Sequence, residues 1–429
     1  MAKKKKTEKP KREYTRRQLS SLQKQRRRQR IIFFGGIAVI TAVVLIVVIG
    51  WLIGDYIPMH KTVLEVNDTK FNTGQYIELL KMIKEGQPDS DIGMLGQTTM
   101  QEMQRIEVTR QKAAELGITV SEEEILERLE GVGLPATYGY KTTLESQLIE
   151  SKLKVDYFGS QVPESAEQVH ARAMLLESES LASKVRGQLL SGDNYTALVE
   201  EYALDYYAMN MNQGDYGWHP REIYEVQLGS AVAIDYAFSA EPGVWSEPLF
   251  DEEKSKQLGY WLIRVNDMPE EASANVSAVF LSSEDEAREI KARLEAGEAL
   301  GPIADEYSNY SPSRDKHGEL GYTLPEQISE PFDNYVFAVE TELGKWSDPI
   351  RDDKYWSTGG YWLVEAVDRE EDRVIDSEDR NYLVDQLYSN WVNGLFSDPF
   401  LVIDDSGLTD DLNQWAMERA LKELEQAGG

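Results

Sequence analysis

The longest uninterrupted apolar run is IIFFGGIAVITAVVLIVVIGWLI at 31–53, 23 residues with Thr41 as the only clearly polar member. A helix rising about 1.5 Å per residue crosses a hydrocarbon layer of about 30 Å with such a run, so the pattern predicts one transmembrane helix over 31–54. Beyond it, HKTVLEVNDTKF alternates, turns at NDT and alternates again, as a short hairpin does. Helical periodicity then marks Thr98 to Leu116, Ser121 to Glu130 and Thr143 to Phe158. Ser121 and Glu124 have the spacing of a capping box, and acids fill the first turn.

From Val169 to Asp267 the pattern reads strand, helix, helix, then strands with turns, and the same order returns from Val276 to Asp368. The wording returns with it. SGDNYTALVEEYA answers AGEALGPIADEYS, GDYGW answers GELGY, and GYWLIRVND answers GYWLVEAVD. Gly259 and Gly360, the first letters of the last phrase, stand about a hundred residues apart, so a domain is duplicated. The chain is read as α+β: a basic arm over 1–30, the anchor over 31–54, a helical domain over 55–163, tandem repeats over 164–271 and 272–372, and C-terminal helices over 373–429. Leu383, Leu387, Trp391 and Leu395 form a four-residue stripe there that needs a partner face, and the N-terminal helices supply one.

Charge orients the anchor. Residues before Ile31 hold 14 Lys and Arg against two Glu, which leaves 31 basic and 73 acidic side chains for the rest of the chain. A basic flank on one side of a single span keeps that flank in the cytoplasm and sets the bulk of the chain outside the cell membrane. The run is longer than the apolar part of a signal peptide and lacks a small-x-small cleavage site after it. The acidic remainder excludes nucleic acid as a partner. With no Cys there is neither a disulfide framework nor a thiol nucleophile. The four His are His60, His170, His219 and His317; no metal-binding motif, Walker loop or dinucleotide fingerprint occurs, and neither a metal nor a cofactor is expected.

The repeated phrases HARAMLL, QGDYGWH, DYAFSAEPGVWSEPL and GYWLIRV, with NVSAVFL, HGELGYT, NYVFAVETELGKWSDPI and GYWLVEAV in the second copy, resemble the parvulin family of peptidyl-prolyl isomerases. The order of anchor, helical part with VNDTKF, parvulin units and closing helices is similar to extracytoplasmic foldases and chaperones of the SurA, PpiD and PrsA kind. That resemblance implies small antiparallel sheets with surrounding helices. It implies unfolded or translocating polypeptides as partners, with lipid met by one helix and the secretion channel nearby.

Carried over position by position, the resemblance leaves the imidazole places empty. The first falls on Ala173 in one copy and on Ala278 or Val279 in the other, and the last on Trp261 and Trp362. Asp215 and Glu319 stand where the family's carboxylate is expected and are the candidate catalytic groups. Ile328, Phe332 and Phe337 match the proline pocket of the second copy; Trp218 and Phe238 extend the candidate contact surface in the first. Trp cannot exchange a proton at neutral pH, but it offers a flat face and one N–H. Two readings of Trp261 and Trp362 stand, a groove for apolar polypeptide segments or a plug in a lost active site. The expected function is a membrane-anchored foldase that binds unfolded chains with weak or lost isomerase activity. An active isomerase using Asp215 or Glu319, and a scaffold with one fixed envelope partner, are the alternatives.

Overall fold

The computed structural model describes residues 16–88, 90–269 and 273–428. Of the basic arm expected over 1–30, residues 1–15 lie outside the described ones. The chain forms two compact units, one of residues up to 158 together with 387 onward, the other of 159–386.

The strands of the chain, in order, are β1 (Thr62–Val66), β2 (Thr69–Asn72), β3 (Ser165–Leu176), β4 (Asp215–His219), β5 (Leu249–Lys256) and β6 (Gly259–Asp267). They continue with β7 (Ala274–Leu281), β8 (Glu319–Thr323), β9 (Ile350–Asp352), β10 (Ser357–Val374) and β11 (Ile403–Asp404).

In the first unit the helix Arg16–Trp51 runs on through one wide turn, Leu52–Tyr56, to His60. Its stretch Ile32–His60 is long and apolar enough to cross a membrane. Every residue from Ile32 to Trp51 is exposed, so among the described residues no protein surface covers these side chains. The hairpin β1–β2 turns at Asn67 in the left-handed region, φ 51°, which a short Asn side chain tolerates. Helix Thr73–Gly86 begins with a reciprocal cap: Asn72 Oδ1 accepts from the Gln75 N–H at 3.0 Å, and Gln75 Oε1 accepts from the Asn72 N–H at 2.9 Å. Helix Glu122–Val132 is capped by Ser121, as the sequence predicts, and ends at Gly133 with φ 72°.

The C-terminal segment completes this unit. β11 pairs with β1, and Leu412, Ala416 and Ala420 of the last helix, Asp410–Gly428, enter the core of Leu64, Tyr76, Leu79, Leu80 and Met103. Tyr76 Oη donates to Asn413 Oδ1 at 2.9 Å and Lys81 Nζ to Glu423 at 2.9 Å. Trp391 and Tyr388 of helix Ser377–Leu395 meet the Phe158 ring edge-on at 5.9 and 6.2 Å between centroids.

The second unit holds two four-stranded antiparallel sheets, ordered β4-β3-β10-β5 and β8-β7-β6-β9. They have the same architecture, but their closing strands are crossed. β10, the last strand of the second repeat, lies between β3 and β5 of the first, with Trp362 opposite Leu175 and Leu363 opposite Met174. β6, the last strand of the first repeat, lies between β7 and β9 of the second, with Trp261 opposite Phe280. The linear division at 271/272 is corrected accordingly: it cuts the β6–β7 hairpin, and the second sheet is inserted between β5 and β10 of the first. The α+β class is as expected.

The crossovers are short, Gln257–Leu258 and Asp353–Trp356, and they lie against each other. Lys256, buried, donates from Nζ to the Gly359 carbonyl, and Ser357 Oγ donates to the Leu258 carbonyl. Close approach also explains why Gly opens the repeated phrase. A Cβ on Gly259 would stand 2.4 Å from the Phe280 ring, and one on Gly360 would stand 2.9 Å from Leu175 Cδ1.

Candidate functional site

Strand alternation divides each sheet into two faces. In the first sheet, Val169, Ala171, Ala173 and Leu175 of β3 share a face with Trp362, Val364 and Ala366 of β10 and with Tyr216 of β4. Tyr224, Ala233, Ile234 and Ala237 cover it from the helices Arg221–Gln227 and Ala231–Ser239. Trp362 is 0% exposed at its centre. Its Nε1 donates to Asp251 Oδ2 at 3.2 Å, which also accepts from Ser230 Oγ at 2.5 Å, the N-cap of the second of those helices.

The second sheet repeats the arrangement more tightly. Trp261, also 0% exposed, is ringed by Phe280, Tyr310, Phe332 and Tyr355 at 4.7, 5.0, 5.1 and 5.9 Å between centroids. Its Nε1 donates to Asp352 Oδ2 at 2.8 Å, and the same oxygen accepts from Ser329 Oγ, the N-cap of helix Glu330–Val336.

Of the expected contact residues, Trp261, Trp362, Ile328 and Phe332 are therefore core. Both indoles are buried at the positions where the resemblance expects imidazoles. The physical reason is volume: an indole fills more space than an imidazole, and its N–H is satisfied internally by a carboxylate, buried at Asp352 and half-buried at Asp251. Phe238 and Phe337 are half-buried at the edges of these cores.

Asp215 and Glu319 do not share a face with the Trp residues. Asp215 pairs in register with Arg172, and Glu319 with Ser277, both on the opposite face of their sheets. Asp215 Oδ1 lies 2.6 Å from His170 Nε2, and Arg172 approaches Oδ2 at 3.7 Å. Burial pushes the Asp215 carboxyl up, but the bond and charge of His170, the Gly217 N–H and Arg172 outweigh it and hold the group below the usual range. Trp218 belongs to this outer face as well; it lies opposite His170, and the Arg373 guanidinium sits 4.2 Å above its ring. Glu319, exposed, accepts from Ser277 Oγ at 2.8 Å. Neither expected carboxylate is placed to act in a cleft formed by the Trp face.

Besides Asp251, which accepts from Trp362 itself, Asp205 reaches the Trp362 core. It is buried and accepts from Tyr216 Oη at 2.7 Å, the Ala208 N–H at 2.8 Å and the Leu175 N–H at 3.1 Å. Burial, then the adjacent Asp205 charge, push the Tyr216 phenol well above its ordinary range. The signal in the sequence was a single acid in the apolar and aromatic run YALDYYAM.

Tyr216 also borders a crevice of about 430 Å³ with Tyr207, Met211, Ile223 and Tyr382. On its wall His219 Nδ1 lies 2.7 Å from Asp379 Oδ2, and Gln227 Nε2 lies 3.3 Å from His219 Nε2. His317 pairs with Asp305 at 2.8 Å in the open, and His60 Nδ1 lies 2.8 Å from the Tyr56 carbonyl. In the first unit a separate groove of about 580 Å³ is lined by Met82, Leu129, Val132, Leu134, Leu144 and Leu148.

Residues 270–365 match the rotamase family described as the PPIC-type PPIASE domain. The match runs along the chain into β10, whereas the strand closing that sheet in space is β6. A foldase protein PrsA of Geobacillus kaustophilus is 27% identical over 146 residues, 32% of this chain and 50% of the relative. A chaperone SurA of Alkalilimnicola ehrlichii is 26% identical over 304 residues, 67% of this chain and 62% of the relative. The chain spans about half or less of the length of the first PrsA relatives it matches. The crystal structure of the peptidylprolyl isomerase PrsA from Bacillus anthracis aligns with 76% of this chain and 97% of its own at 11% identity, with a TM-score of 0.28. The chain thus carries a parvulin-type rotamase domain and is SurA/PrsA-like.

Proposed function

We propose that this protein is a membrane-anchored extracytoplasmic foldase that holds unfolded polypeptides, and that its rotamase units serve this task with weak or lost prolyl isomerase activity. The observation that carries the reading is a contrast. Both sheet clefts are filled by their own indoles, while the groove of Met82, Leu129, Val132, Leu134, Leu144 and Leu148 stays open, with Val132 59% and Leu134 43% exposed. Isomerisation requires an apolar seat for the proline ring and placed polar groups around a twisted amide; holding a client requires only accessible apolar surface. The uncovered helix over Ile32–Trp51 and the basic flank before it support a single span with the bulk of the chain outside.

The test uses the full chain. It is expected to suppress aggregation of an unfolded protein without accelerating exchange of a proline peptide. Val132→Asp with Leu134→Asp is expected to remove most of the suppression while leaving the melting transition in place. Suppression that survives both substitutions would overturn the assignment of the groove.

One observation favours a second reading, an active isomerase. The crevice beside Tyr216 brings His219, Asp379 and three Tyr side chains around a space large enough for a proline ring. A proline-exchange rate that falls on His219→Ala would establish it.

A further inference from the structure

The two closing strands are nearly the same phrase, yet each closes the sheet of the other repeat. Beyond the shared phrase β10 gains backbone pairs that β6 is too short to make, Arg369 with Val169 through Val374 with Ser165; within the phrase, from Tyr361 to Ala366, the two strands offer the same pairing. In a self-closed chain, with β6 beside β3 and β10 beside β7, Trp261 and Trp362 would trade equivalent places, as would Leu262 with Leu363 and Ile263 with Val364. The first five positions would bury nearly the same apolar surface, while the seventh would trade Val265 for Ala366.

Charge distinguishes the two at the sixth position of the phrase, Arg264 in β6 and Glu365 in β10. As the chain is folded, Glu365 lies opposite Arg172, with Nη1 3.6 Å from Oε2. Arg264 lies opposite Ser277 and reaches Glu319 at 3.9 Å, with its guanidinium 4.9 Å above the Trp346 ring. Self-closure would set Arg264 opposite Arg172 and would bring Glu365 beside Glu319. Opposite charges across a strand pair stabilise it and like charges destabilise it. Excluding an alternative pairing through charge is a general way for a chain to choose between near-equal arrangements.

We propose that Arg264 and Glu365 select the reciprocal exchange of closing strands, which locks the two repeats into one body that neither can leave without opening its sheet. Each Trp–carboxylate pair is then built from both repeats, Trp362 with Asp251 and Trp261 with Asp352. The crossover bonds, Lys256 to Gly359 and Ser357 to Leu258, form only where the two connections meet. This inference concerns topology and is independent of whether clients or prolines are bound.

The absence of native Cys makes disulfide mapping direct. Phe250 lies opposite Tyr361 in the exchanged sheet; in a self-closed sheet Tyr260 would take that place. Cross-strand neighbours lie within the Cα range that a disulfide spans. In the full chain, F250C/Y361C is expected to oxidise to an intrachain bridge, and F250C/Y260C to remain reduced. A bridge in the second pair, or a bridge in the first that yields covalent dimers, overturns the intrachain exchange.

Selection is tested in two backgrounds, R264E/E365R and the neutral R264Q/E365Q. The charge-reversed chain is expected to raise the yield of the 250–260 bridge relative to the 250–361 bridge by about tenfold, and the neutral chain by less. An unchanged ratio in the neutral chain overturns selection by charge, even if the reversed chain does not fold.

Discussion

Trp362 and Asp251 stand 111 residues apart in the chain and are joined by an indole N–H bond of 3.2 Å. Trp261 and Asp352 repeat the bond at 2.8 Å. Replacing either Trp by Phe keeps most of the apolar volume and leaves a carboxylate without one donor. Asp352 is 1% exposed, so W261F is expected to cost about 1–3 kcal/mol. W362F is expected to cost less, because its bond is longer. Chemical denaturation of the full chain measures both, and equal, negligible effects would show that these bonds contribute nothing.

Lys256 makes stability depend on pH in an unusual direction. Burial pushes its ammonium down to about 8, against the opposing pull of Glu286 and Glu177. The unfolded group titrates near 10.4, so between these values the unfolded chain holds a proton that the folded chain has lost. Stability from this group therefore rises with pH across that window. The cost of keeping it charged, about 3 kcal/mol, is fully present below the folded value. Lys256→Met is expected to be less stabilised than the native chain on moving from pH 7.5 to pH 10, as followed by melting temperature. Parallel curves would remove Lys256 from the account.

Asp215 and Glu319 face away from both Trp residues, so D215A and E319A are expected to leave any proline-exchange rate of the full chain unchanged. Asp215→Ala instead removes the partner of His170 and one neighbour of Arg172. A drop of more than about tenfold in rate, equivalent to about 1.4 kcal/mol in the barrier, would return these carboxylates to the chemistry.

Ala416 and Ala420 are fully buried in the core of the first unit. A buried carboxylate there has no partner, and Ala416→Asp is expected to cost several kcal/mol. The expected reading is loss of the cooperative transition of the helical unit, with partial recovery at low pH as the new acid is protonated. A native-like transition would mean that the last helix contributes little to the core.

Much of this was legible in the chain. The 23-residue apolar run, the cap at Ser121 and the repeated phrases depend on local composition and period, which sequence carries directly. The candidate site was less legible. Asp215 was aligned by its phrase, but strand parity turns it outward, whereas Asp205 entered the core from a connection whose path no periodicity specifies.

The sequence by itself determined the long apolar run, the duplication and the Trp at the third place of each repeated phrase, because each is a statement about residue type and spacing. Which Trp closes which sheet was decided only in the folded chain. Within the shared phrase the two strands offer nearly the same backbone partners and apolar side chains, so local preference is almost silent between them. The choice rests on contacts between residues far apart in sequence, among them Arg172 with Glu365 and Lys256 with Gly359.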